Sequence, residues 1–316
     1  MFKEKNMLLE VKNLSKKYGE KTVVDNLNFE MKNPGVYALL GTNGAGKTTS
    51  IRMMLGMLAH DSGEVLWNGK PLNTLSGNVG YLAEERGLYP KYSIMDQLIY
   101  FASLRNISKT DAKKKIEYWA DRLKVNEYLY PSANSGKKIH AKNADQLSKG
   151  NQQKIQLMIA LISDPELLIL DEPLNGLDPV NTDLFKSIIY EEINKDKYLI
   201  MSSHQMPMVE EFCSDITILD KSRTVLQGNL NEIKKGYGRI RLFVKCETDI
   251  AEYINETNIG IIKNNEFDYQ LKVSGEKQAN TLLKKLIENG VVLIRFELRE
   301  PSLHEIFIEK VGDTNE

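Results

Sequence analysis

One stretch of this sequence constrains the fold more than any other. It reads Gly41-Thr42-Asn43-Gly44-Ala45-Gly46-Lys47-Thr48, a G-x-x-x-x-G-K-T pattern. A short apolar run over residues 36–40 precedes it, and a run with helical spacing over residues 49–58 follows it. A strand, a glycine-rich turn and a helix in that order form a phosphate-binding loop. The sequence therefore predicts an α/β fold that binds a nucleotide.

The residue types in this loop suit phosphate chemistry. Its glycines let the backbone approach an anion closely, so that successive N–H groups and the positive end of the next helix point at it. Lys47 adds a mobile positive charge for the β- and γ-phosphates. The Thr48 hydroxyl suits Mg²⁺, a hard cation that prefers oxygen ligands. The predicted nucleotide-binding residues of the loop are Gly41, Thr42, Asn43, Gly44, Ala45, Gly46, Lys47, Thr48 and Thr49.

Composition narrows the class of protein. The chain has 316 residues, enough for two domains. Its formal net charge is −1, which gives no reason to expect nucleic acid as a partner. Cys213 and Cys246 lie in apolar surroundings and are expected to be reduced core residues of a cytosolic protein. We expect no signal peptide, because the N-terminus is charged, and no apolar run approaches the ~20 residues of a membrane span.

The spacing of apolar residues predicts a mixed sheet flanked by helices. Alternating residues near the N-terminus are typical of antiparallel strands, whereas continuous apolar runs later in the chain are typical of buried parallel strands. Amphipathic segments separate the later runs, as in a parallel sheet with helices packed on it. The polar stretch 130–142 is predicted to be a loop. The predicted strands are 8–14, 28–31, 36–40, 63–68, 79–83, 167–170 and 198–202.

The chain changes character near its C-terminus, where a second domain over residues 238–313 is predicted. Its apolar pattern gives strands and helices in the order β-α-β-β-α-β, which is typical of a ferredoxin-like module. A closing helix is expected to begin at Pro301, since proline is favoured in the first turn of a helix. The fold class predicted for the whole chain is α/β, with this small α+β domain following the nucleotide-binding domain.

Two polar segments fall where an α/β sheet binds ligands. Asp171 and Glu172 follow an apolar strand directly, at its carboxyl end. Ser148-Lys149-Gly150 opens a helix, and the serine hydroxyl together with the helix N-terminus makes a second anion site. Each segment also has a plainer interpretation, which is an acidic turn before a proline for the first and a simple N-cap for the second.

The order of these segments carries a resemblance to a known family. Along the chain come the phosphate loop, Leu147-Ser148-Lys149-Gly150-Asn151-Gln152, Asp171-Glu172, Gly176-Leu177-Asp178 and His204. This series resembles the ATPase subunit of ABC (ATP-binding cassette) transporters. The resemblance implies a P-loop NTPase domain of the ABC ATPase type over residues 7–229, with an antiparallel β subdomain and a helical subdomain at about 92–160. The tail resembles the C-terminal extension of an export-type subset, which ends in a stretch like Glu300-Pro301-Ser302-Leu303.

The resemblance implies which residues hold the metal and act on water. Thr48, Glu84 and Asp171 would hold Mg²⁺. Glu172 would be the general base for the attacking water. His204 follows a strand where the family places a histidine that donates from a neutral imidazole to the γ-phosphate. ATP and Mg²⁺ are thus the implied ligands.

The resemblance also implies contacts with the nucleotide beyond the phosphate loop. Tyr18 would stack on the adenine ring. Ser148 and Gly150 belong to the signature motif of the family, which completes the nucleotide site of the opposite subunit. Asp178 belongs to a loop that carries contacts across the same pair. One chain would therefore hold two half-sites and act as a head-to-tail pair.

The sequence departs from the family pattern at three positions. The usual signature reads L-S-G-G-Q, whereas here Lys149 replaces a glycine and Asn151 replaces the glutamine. The variant L-S-K-G-x-Q-Q also occurs in the export-type subset, so the motif is interpreted as functional. Glu84 stands where the family usually has a glutamine that contacts Mg²⁺ and senses the permease. A carboxylate also binds Mg²⁺, so the role is expected to survive with altered metal affinity.

These features predict the ATP-hydrolysing subunit of an ABC transporter, and specifically of an exporter. It would power a separate membrane permease subunit from the cytoplasm, peripheral at the inner face of the cell membrane, as a homodimer or paired with a second ATPase subunit. Two alternatives stay open, a soluble single-cassette mechano-ATPase and a regulatory module that binds ATP without turnover. The transported substrate stays open as well, because the permease selects it.

Overall fold

The computed structural model describes residues 8–74, 78–84, 87–130 and 141–312. The chain divides into two compact units, with the boundary between Gln227 and Gly228. The loop predicted at 130–142 lies largely outside the described residues. In the part of the chain that the structure describes, every helix is too short or too polar to cross a membrane.

The first unit contains two sheets and a set of helices. Its strands are β1 (Leu9–Tyr18), β2 (Lys21–Met31), β3 (Gly35–Gly41), β4 (Ser62–Trp67), β5 (Lys70–Pro71), β6 (Val79–Leu82), β7 (Leu167–Asp171), β8 (Tyr198–Ser203), β9 (Asp215–Asp220) and β10 (Arg223–Asn229). Its helices are α1 (Lys47–Met54), α2 (Ile94–Ser103), α3 (Lys109–Leu123), α4 (Asn126–Leu129), α5 (Lys149–Leu161), α6 (Pro179–Ile193) and α7 (Met206–Phe212).

The larger sheet sets the position of the functional loops. It has six strands in the order β10-β9-β3-β8-β7-β6, and the pairs from β9 to β6 are parallel. β7 and β8 are buried along their whole length, which explains why their sequences are continuous apolar runs. The register pairs Leu40 with Ser203 and Asp171 with Ser202. The carboxyl ends of β3, β7 and β8 therefore lie side by side at one edge.

The smaller sheet is antiparallel and covers one side of the core. Its order is β2-β1-β4-β5. Apolar side chains of β1 and β2, such as Leu9 and Leu27, pack in one buried cluster with Leu39 of β3 and Ile51 of α1. β1 and β2 are longer than the predicted strands, because polar residues continue the alternation on their exposed face. α1 is thus held between a sheet on each side.

Three of the helices that lie between β6 and β7 in the sequence, α2, α3 and α5, begin at a serine cap. Ser93, Ser108 and Ser148 each accept a hydrogen bond from the backbone N–H three residues later. Such a cap is worth about 1 kcal/mol, because it satisfies a backbone donor that has no partner inside the helix. α2, α3 and α5 pack against one another, as the amphipathic pattern of this region predicted.

The second unit is a ferredoxin-like module, as predicted. It contains α8 (Leu230–Tyr237), β11 (Arg241–Cys246), α9 (Ala251–Glu256), β12 (Gly260–Asn265), β13 (Asp268–Lys272), α10 (Glu276–Glu288), β14 (Leu293–Arg299) and α11 (Leu303–Gly312). The sheet order is β12-β13-β11-β14 with antiparallel pairs throughout. Side chains of β11 and β13 form one buried cluster with residues of α9 and α10, so this unit has its own core. Cys213 and Cys246, one in each unit, are free and buried.

Replacing Leu282 of α10 by Ala should destabilise the second unit. Leu282 is 0% exposed in the cluster that joins α10 to the sheet, so truncation removes buried methyl groups and leaves a cavity, at a cost of about 2–5 kcal/mol. Ile287, on the same helix, is 62% exposed, and Ile287→Ala is the matched control, with an expected change within about 0.5 kcal/mol. Denaturant unfolding combined with hydrogen exchange of residues 241–299 measures both variants. Equal effects of the two would contradict the described core.

Candidate functional site

The candidate site lies at the edge of the large sheet where three parallel strands end. β3 leads into the glycine-rich loop, β7 ends at Asp171 and is followed by Glu172, and β8 ends at Ser203 and is followed by His204. Since these three strands are neighbours in the sheet, segments far apart in the sequence meet at one place. Ligands of open α/β sheets bind at such carboxyl edges.

The glycine-rich loop has a conformation that only glycine tolerates at its last position. Gly46 precedes α1 as its N-cap with φ of +109°. A Cβ at this position would lie 2.5 Å from the backbone oxygen of Val23 and 3.2 Å from the Val24 side chain. The sequence therefore needs glycine here for two reasons, backbone angle and space. Thr42, Asn43 and Gly44 are exposed at the tip of the loop, with the N-terminus of α1 behind them.

Lys47 is folded back into the loop in this structure. Its side chain is only 6% exposed, and its ammonium donates hydrogen bonds to the backbone oxygens of Gly41 at 2.9 Å and Thr42 at 3.4 Å. The ammonium also lies 3.3 Å from Oε1 of Glu172. That contact is an ion pair without hydrogen-bond geometry, because Oε1 has no hydrogen-bond partner. The loop thus holds a buried cation where a phosphate would need one.

Asp171 is a buried carboxylate with one satisfied oxygen. Its Oδ1 accepts hydrogen bonds from Oγ of Ser202 at 2.5 Å and from Oγ1 of Thr48 at 3.2 Å. Its Oδ2 is buried and has no hydrogen-bond partner. Burial raises the pKa of Asp171, and the two hydroxyl donors offset part of that rise, while the charge of Glu172 adds to it. A buried carboxylate oxygen without a partner, beside a threonine hydroxyl, is suited to a hard cation.

Glu172 is held in a strained backbone conformation. Its φ is +48°, a region that costs non-glycine residues of order 1–3 kcal/mol and is concentrated at functional sites. Its N–H donates to Oγ of Ser202 at 2.9 Å, and its Oε2 lies 2.9 Å from Nδ1 of His204. Glu172 is buried, whereas the His204 side chain is 43% exposed. One oxygen of this carboxylate thus faces the buried Lys47 ammonium, and the other faces the exposed ring of His204.

Ser202 is a residue of the site that the sequence analysis did not single out. Its hydroxyl donates to Asp171 and accepts from the backbone of Glu172, so it fixes both acidic residues at once. The only signal for it in the sequence is a polar residue at the end of a buried apolar strand. Such a residue is common at strand ends, and only the β7–β8 register shows that it faces Asp171.

Three of the predicted residues form a second cluster at the starts of two helices. Ser148 is the exposed N-cap of α5, and its Oγ accepts from the N–H of Asn151 at 3.3 Å. Asp178 is the exposed N-cap of α6, and its carboxylate accepts from the N–H of Asn181 at 3.0 Å. Hydrogen bonds from the start of α6 lower the pKa of Asp178. A Cβ at Gly150 would lie 3.3 Å from Nδ2 of Asn181, so the two helix starts approach closely.

Tyr18 and Glu84 lie at the margins of the site. Tyr18 ends β1 with its ring 54% exposed, and the ammonium of Lys16 lies 5.5 Å from the ring centroid. Glu84 follows β6 and lines a cavity that it shares with the start of α5. The pKa of Tyr81 is raised to about 12, first by burial and then by the charges of Asp171 and, more weakly, Glu84. Both carboxylates therefore act electrostatically on the same phenol. Thr49 lies in the first turn of α1 and is half-buried.

The geometry defines what the site can do chemically. A glycine-rich loop at a helix N-terminus, with a lysine inside it, binds a phosphate chain. A buried carboxylate and a hydroxyl beside it offer oxygen ligands to a divalent cation, and a second carboxylate with a histidine can orient water. The arrangement is that of a P-loop nucleotide hydrolase.

Comparisons with known proteins place the chain in a family. Residues 24–175 match the family described as ABC transporter, and residues 228–311 match the C-terminal domain of DrrA1-3-like ATP-binding proteins. YhaQ of Bacillus subtilis (strain 168), an uncharacterized ABC transporter ATP-binding protein, is 40% identical over 306 residues, which cover 96% of this chain and 99% of the relative. The bacitracin transport ATP-binding protein BcrA of Enterococcus faecalis is 28% identical over 312 residues, 96% of each chain.

A solved structure described as the ATP binding subunit of an ABC transporter has a similar fold, which is consistent with the sequence relatives. It superposes with a TM-score of 0.64 at 26% identity and covers 73% of this chain and 93% of that chain. Fold and site together define a P-loop ATPase of the ABC type. The chain belongs to the family of ABC transporter ATP-binding proteins, whose members bind ATP and are ATPases. The family expected from the sequence is thereby confirmed.

Replacing Asp171 by Asn should stabilise the nucleotide-free chain while it removes function. The carboxylate is buried with one oxygen unsatisfied, and its folded pKa lies above the ordinary Asp value of 3.8. A raised folded pKa means that folding favours the protonated form of the carboxyl group. The free energy of unfolding therefore falls as the pH rises from the ordinary Asp value through the folded pKa, and the charged carboxylate destabilises the fold at neutral pH. We expect Asp171→Asn to raise the free energy of unfolding at neutral pH by about 0.5–2 kcal/mol, as measured by denaturant unfolding.

Glu192 supplies the matched control for this experiment. It is another fully buried carboxylate, but both of its oxygens are paired, with Lys195 at 2.6 Å and with Lys197. Glu192→Gln should therefore destabilise the chain, by about 1.5–3 kcal/mol, because it weakens hydrogen bonds to charged groups. If Asp171→Asn also lowered the free energy of unfolding, both oxygens of the Asp171 carboxylate would have to have hydrogen-bond partners in solution. That result would contradict the unsatisfied Oδ2 seen in the structure.

Proposed function

We propose that this chain hydrolyses ATP to drive a separate membrane permease, and that the transporter is an exporter. One observation carries the proposal: the phosphate loop, Asp171, Glu172 and His204 meet at one edge of the sheet through direct contacts. The cluster brings together a phosphate-binding loop with its lysine, a carboxylate suited to a divalent cation and a second carboxylate suited to water, which are parts that phosphoryl transfer to water uses. Catalysis then rests on positioning and on electrostatic stabilisation of the charge that develops on the phosphate.

Lys47 and the loop amides would bind the phosphates. In this structure the ammonium is satisfied by two loop carbonyls and Glu172. The β- and γ-phosphates are stronger acceptors than a backbone carbonyl, because a hydrogen bond to an ionised group is shorter and stronger. Lys47 would therefore turn toward the phosphates, and Glu172 would lose its cation contact and become available to water.

Thr48 and Asp171 would hold Mg²⁺. The unsatisfied Oδ2 of Asp171 and the Thr48 hydroxyl are the donor set that this cation prefers, and proteins usually bind it through one or two carboxylates plus substrate phosphates. When bound, Mg²⁺ would neutralise charge on the phosphates. Glu84 would contribute a further carboxylate from the segment after β6. The register that pairs Leu82 of β6 with Leu170 of β7 supports a place for Glu84 near this cation.

Glu172 would accept a proton from the attacking water. Its Oε2 faces the exposed His204, so water can approach on that side. His204 would hold the carboxylate through Nδ1 and would present its other ring nitrogen to the γ-phosphate. Tyr18, exposed at the end of β1, would stack on the adenine ring.

Ser148, Gly150 and Asp178 would act on the nucleotide of a second subunit. The exposed Ser148 hydroxyl and the N-terminus of the 13-residue helix α5 offer donors to an anion that approaches from outside the chain. Asp178 lies beside this helix start, at the neighbouring start of α6. A head-to-tail pair would place each phosphate loop opposite such a helix start, either in a homodimer or with a second ATPase subunit.

Glu172→Gln tests the hydrolysis and the pairing together. Glutamine keeps the shape of the side chain but cannot accept the proton, so turnover should fall by about 10²–10⁴-fold while ATP binding remains. The ATP-bound pair should then accumulate and be visible by size-exclusion chromatography. Phosphate release gives the rate, and the unchanged chain with ADP is the control. Normal turnover by this variant would refute the role of Glu172, and an absence of turnover in the unchanged chain would favour the regulatory module.

A groove lined by tyrosines is the surface we assign to the permease. Tyr89, Tyr92 and Tyr100 line a cavity of about 350 Å³ with Asp96 and Gln97, at the start of α2. The three rings are each about half exposed or more, at 51%, 65% and 49%. Exposed clusters of aromatic side chains are typical of protein interfaces. The groove follows the segment that contains Glu84 in the sequence, so a permease segment seated here would lie close along the chain to Glu84.

Tyr100→Ser should weaken binding of the permease without changing the basal ATPase rate. Loss of a central aromatic side chain from an interface typically costs more than tenfold in affinity. Tyr118 on α3 is similarly exposed, at 56%, but lies outside the groove, and Tyr118→Ser is the control. The measurement is the amount of chain retained by a membrane protein that co-purifies with the unchanged chain from detergent extracts. Equal retention of both variants would contradict the assignment of the groove.

The relatives support the proposed export direction, and the place where ATP is supplied supports the proposed location. BcrA, which matches along nearly the whole chain, is named for bacitracin transport, and the second unit matches the DrrA1-3-like domain. We assign this chain to the inner face of the cell membrane, bound through its permease, since ATP is supplied there. A net charge of −1 gives no basis for a nucleic-acid partner.

A further inference from the structure

α6 contacts other helices of the first unit at both of its ends. Its start, capped by Asp178, lies against the start of α5, where a Cβ at Gly150 would be 3.3 Å from Nδ2 of Asn181. Its last turns lie about 20 Å further along the helix axis. A single contact between two stiff helices leaves the angle between them free. The relative orientation of the two helix starts therefore depends on what holds the far end of α6.

Arg122 of α3 holds that far end through a two-pronged contact. Its Nε donates to Oε2 of Glu191 at 3.2 Å, and its Nη2 donates to Oε1 of the same carboxylate. Nη2 also donates to Oγ of Ser187 at 2.9 Å. Ser187 and Glu191 are four residues apart, so they lie on one face of α6. A guanidinium that binds both oxygens of a carboxylate is fixed in orientation as well as in distance.

A second link joins the same two helices through a charge cluster. The ammonium of Lys195, just after α6, lies 5.9 Å from the ring centroid of Trp119 on α3, within the range of a cation–π interaction. The same ammonium pairs with the fully buried Glu192 at 2.6 Å, and Glu192 also pairs with Lys197. Trp119 and Arg122 are three residues apart, so they lie on one face of α3. That face is therefore attached to the end of α6 at two places.

The position of α3 determines that of α5. α3 packs against α5, and α2 packs against both. The three helices therefore form one packed group, and α5 presents Ser148 at its start. The contact of Arg122 with Glu191 joins this group to α6, whose start presents Asp178.

We propose that Arg122 is a positioning residue, whose ion pair with Glu191 fixes the angle between α5 and α6. The inference rests on the proposed function, in which Ser148 and Asp178 act together on the nucleotide of a second subunit. These two side chains stand on different helices, so the angle between the helices sets the placement of one relative to the other. A site that is ordered before the subunits meet loses less freedom on association and binds more tightly.

The chain offers a matched control on the same helix. Lys186 of α6 pairs with Glu211 of α7, and the two side chains are 29% and 33% exposed. Arg122 and Glu191 are similarly exposed, at 28% and 39%. The two ion pairs should therefore contribute alike to stability, because exposure governs how strongly solvent screens them. Of these two pairs, only that of Arg122 joins α6 to α3.

A double-mutant cycle tests Arg122 in the Glu172→Gln chain, with ATP and Mg²⁺ at saturation. Arg122→Gln and Glu191→Gln should each weaken the ATP-bound pair of subunits about two- to fivefold, and the double variant should be no weaker than either single variant. Arg122→Lys should give an intermediate loss, because lysine keeps the charge but cannot make the two-pronged contact. Lys186→Gln should leave pairing unchanged. Analytical ultracentrifugation measures the affinity of the subunits for each other.

Denaturant unfolding of the same variants separates positioning from stability. Arg122→Gln and Lys186→Gln should lower the midpoint of unfolding alike. Both should leave the affinity of the monomer for ATP unchanged, because the phosphate loop and Asp171 lie on other elements. Equal weakening of pairing by these two variants, or additive effects of Arg122→Gln and Glu191→Gln, would overturn the proposal.

Hydrogen exchange in the nucleotide-free chain separates this inference from the proposed function. Arg122→Gln and Glu191→Gln should each raise exchange over α3 and α6, and the double variant should raise it no further, whereas Lys186→Gln should leave exchange over α3 unchanged. If exchange follows this pattern but no ATP-bound pair of subunits forms, the shared nucleotide site is refuted and the link between α3 and α6 stands. If a pair forms and Arg122→Gln leaves exchange over α3 unchanged, the link is refuted and the shared site stands.

Discussion

The rest of the site depends on two carboxylates being held at the buried end of β7. Burial of charge is costly, and the pKa of Asp171 is raised for that reason. The chain offsets this cost with the Ser202 hydroxyl, which bonds to both Asp171 and the backbone of Glu172. It does not offset it fully, since Oδ2 of Asp171 and Oε1 of Glu172 have no hydrogen-bond partner. Polar atoms left unsatisfied in a native site are available to ligands.

Lys47 links this acidic pair to the phosphate loop. The same ammonium touches two loop carbonyls and the Glu172 carboxylate, so a phosphate bound in the loop would compete with Glu172 for one cation. Arrival of the phosphate would change the partners of Glu172 without any rearrangement of the sheet. Because β3, β7 and β8 are paired neighbours in the sheet, the strands form a firm base for the loops of the site.

α5 is the second organising element. It presents Ser148 at its start and touches the segment after β7 through Gln153. With the Gln156 amide oriented to satisfy both of its ends, it also touches the segment after β6. A single helix thereby contacts the two segments that carry Glu84 and Glu172. A displacement of either segment would shift Ser148 as well, because a helix moves as a stiff unit.

The sequence by itself determined the elements and the chemistry that depends on local order. The glycine pattern before Lys47, the apolar runs of β7 and β8, and the β-α-β-β-α-β order of the tail each predict local structure, because backbone conformation and burial leave a direct trace in residue type. Only the tertiary structure decided which groups meet. The role of Ser202 depends on the register between β7 and β8, and the ion pair of Lys47 with Glu172 depends on the sheet order that places the ends of β3 and β7 on either side of β8. Neither contact leaves a recognisable spacing in the sequence, because each joins residues that are 31 or more positions apart.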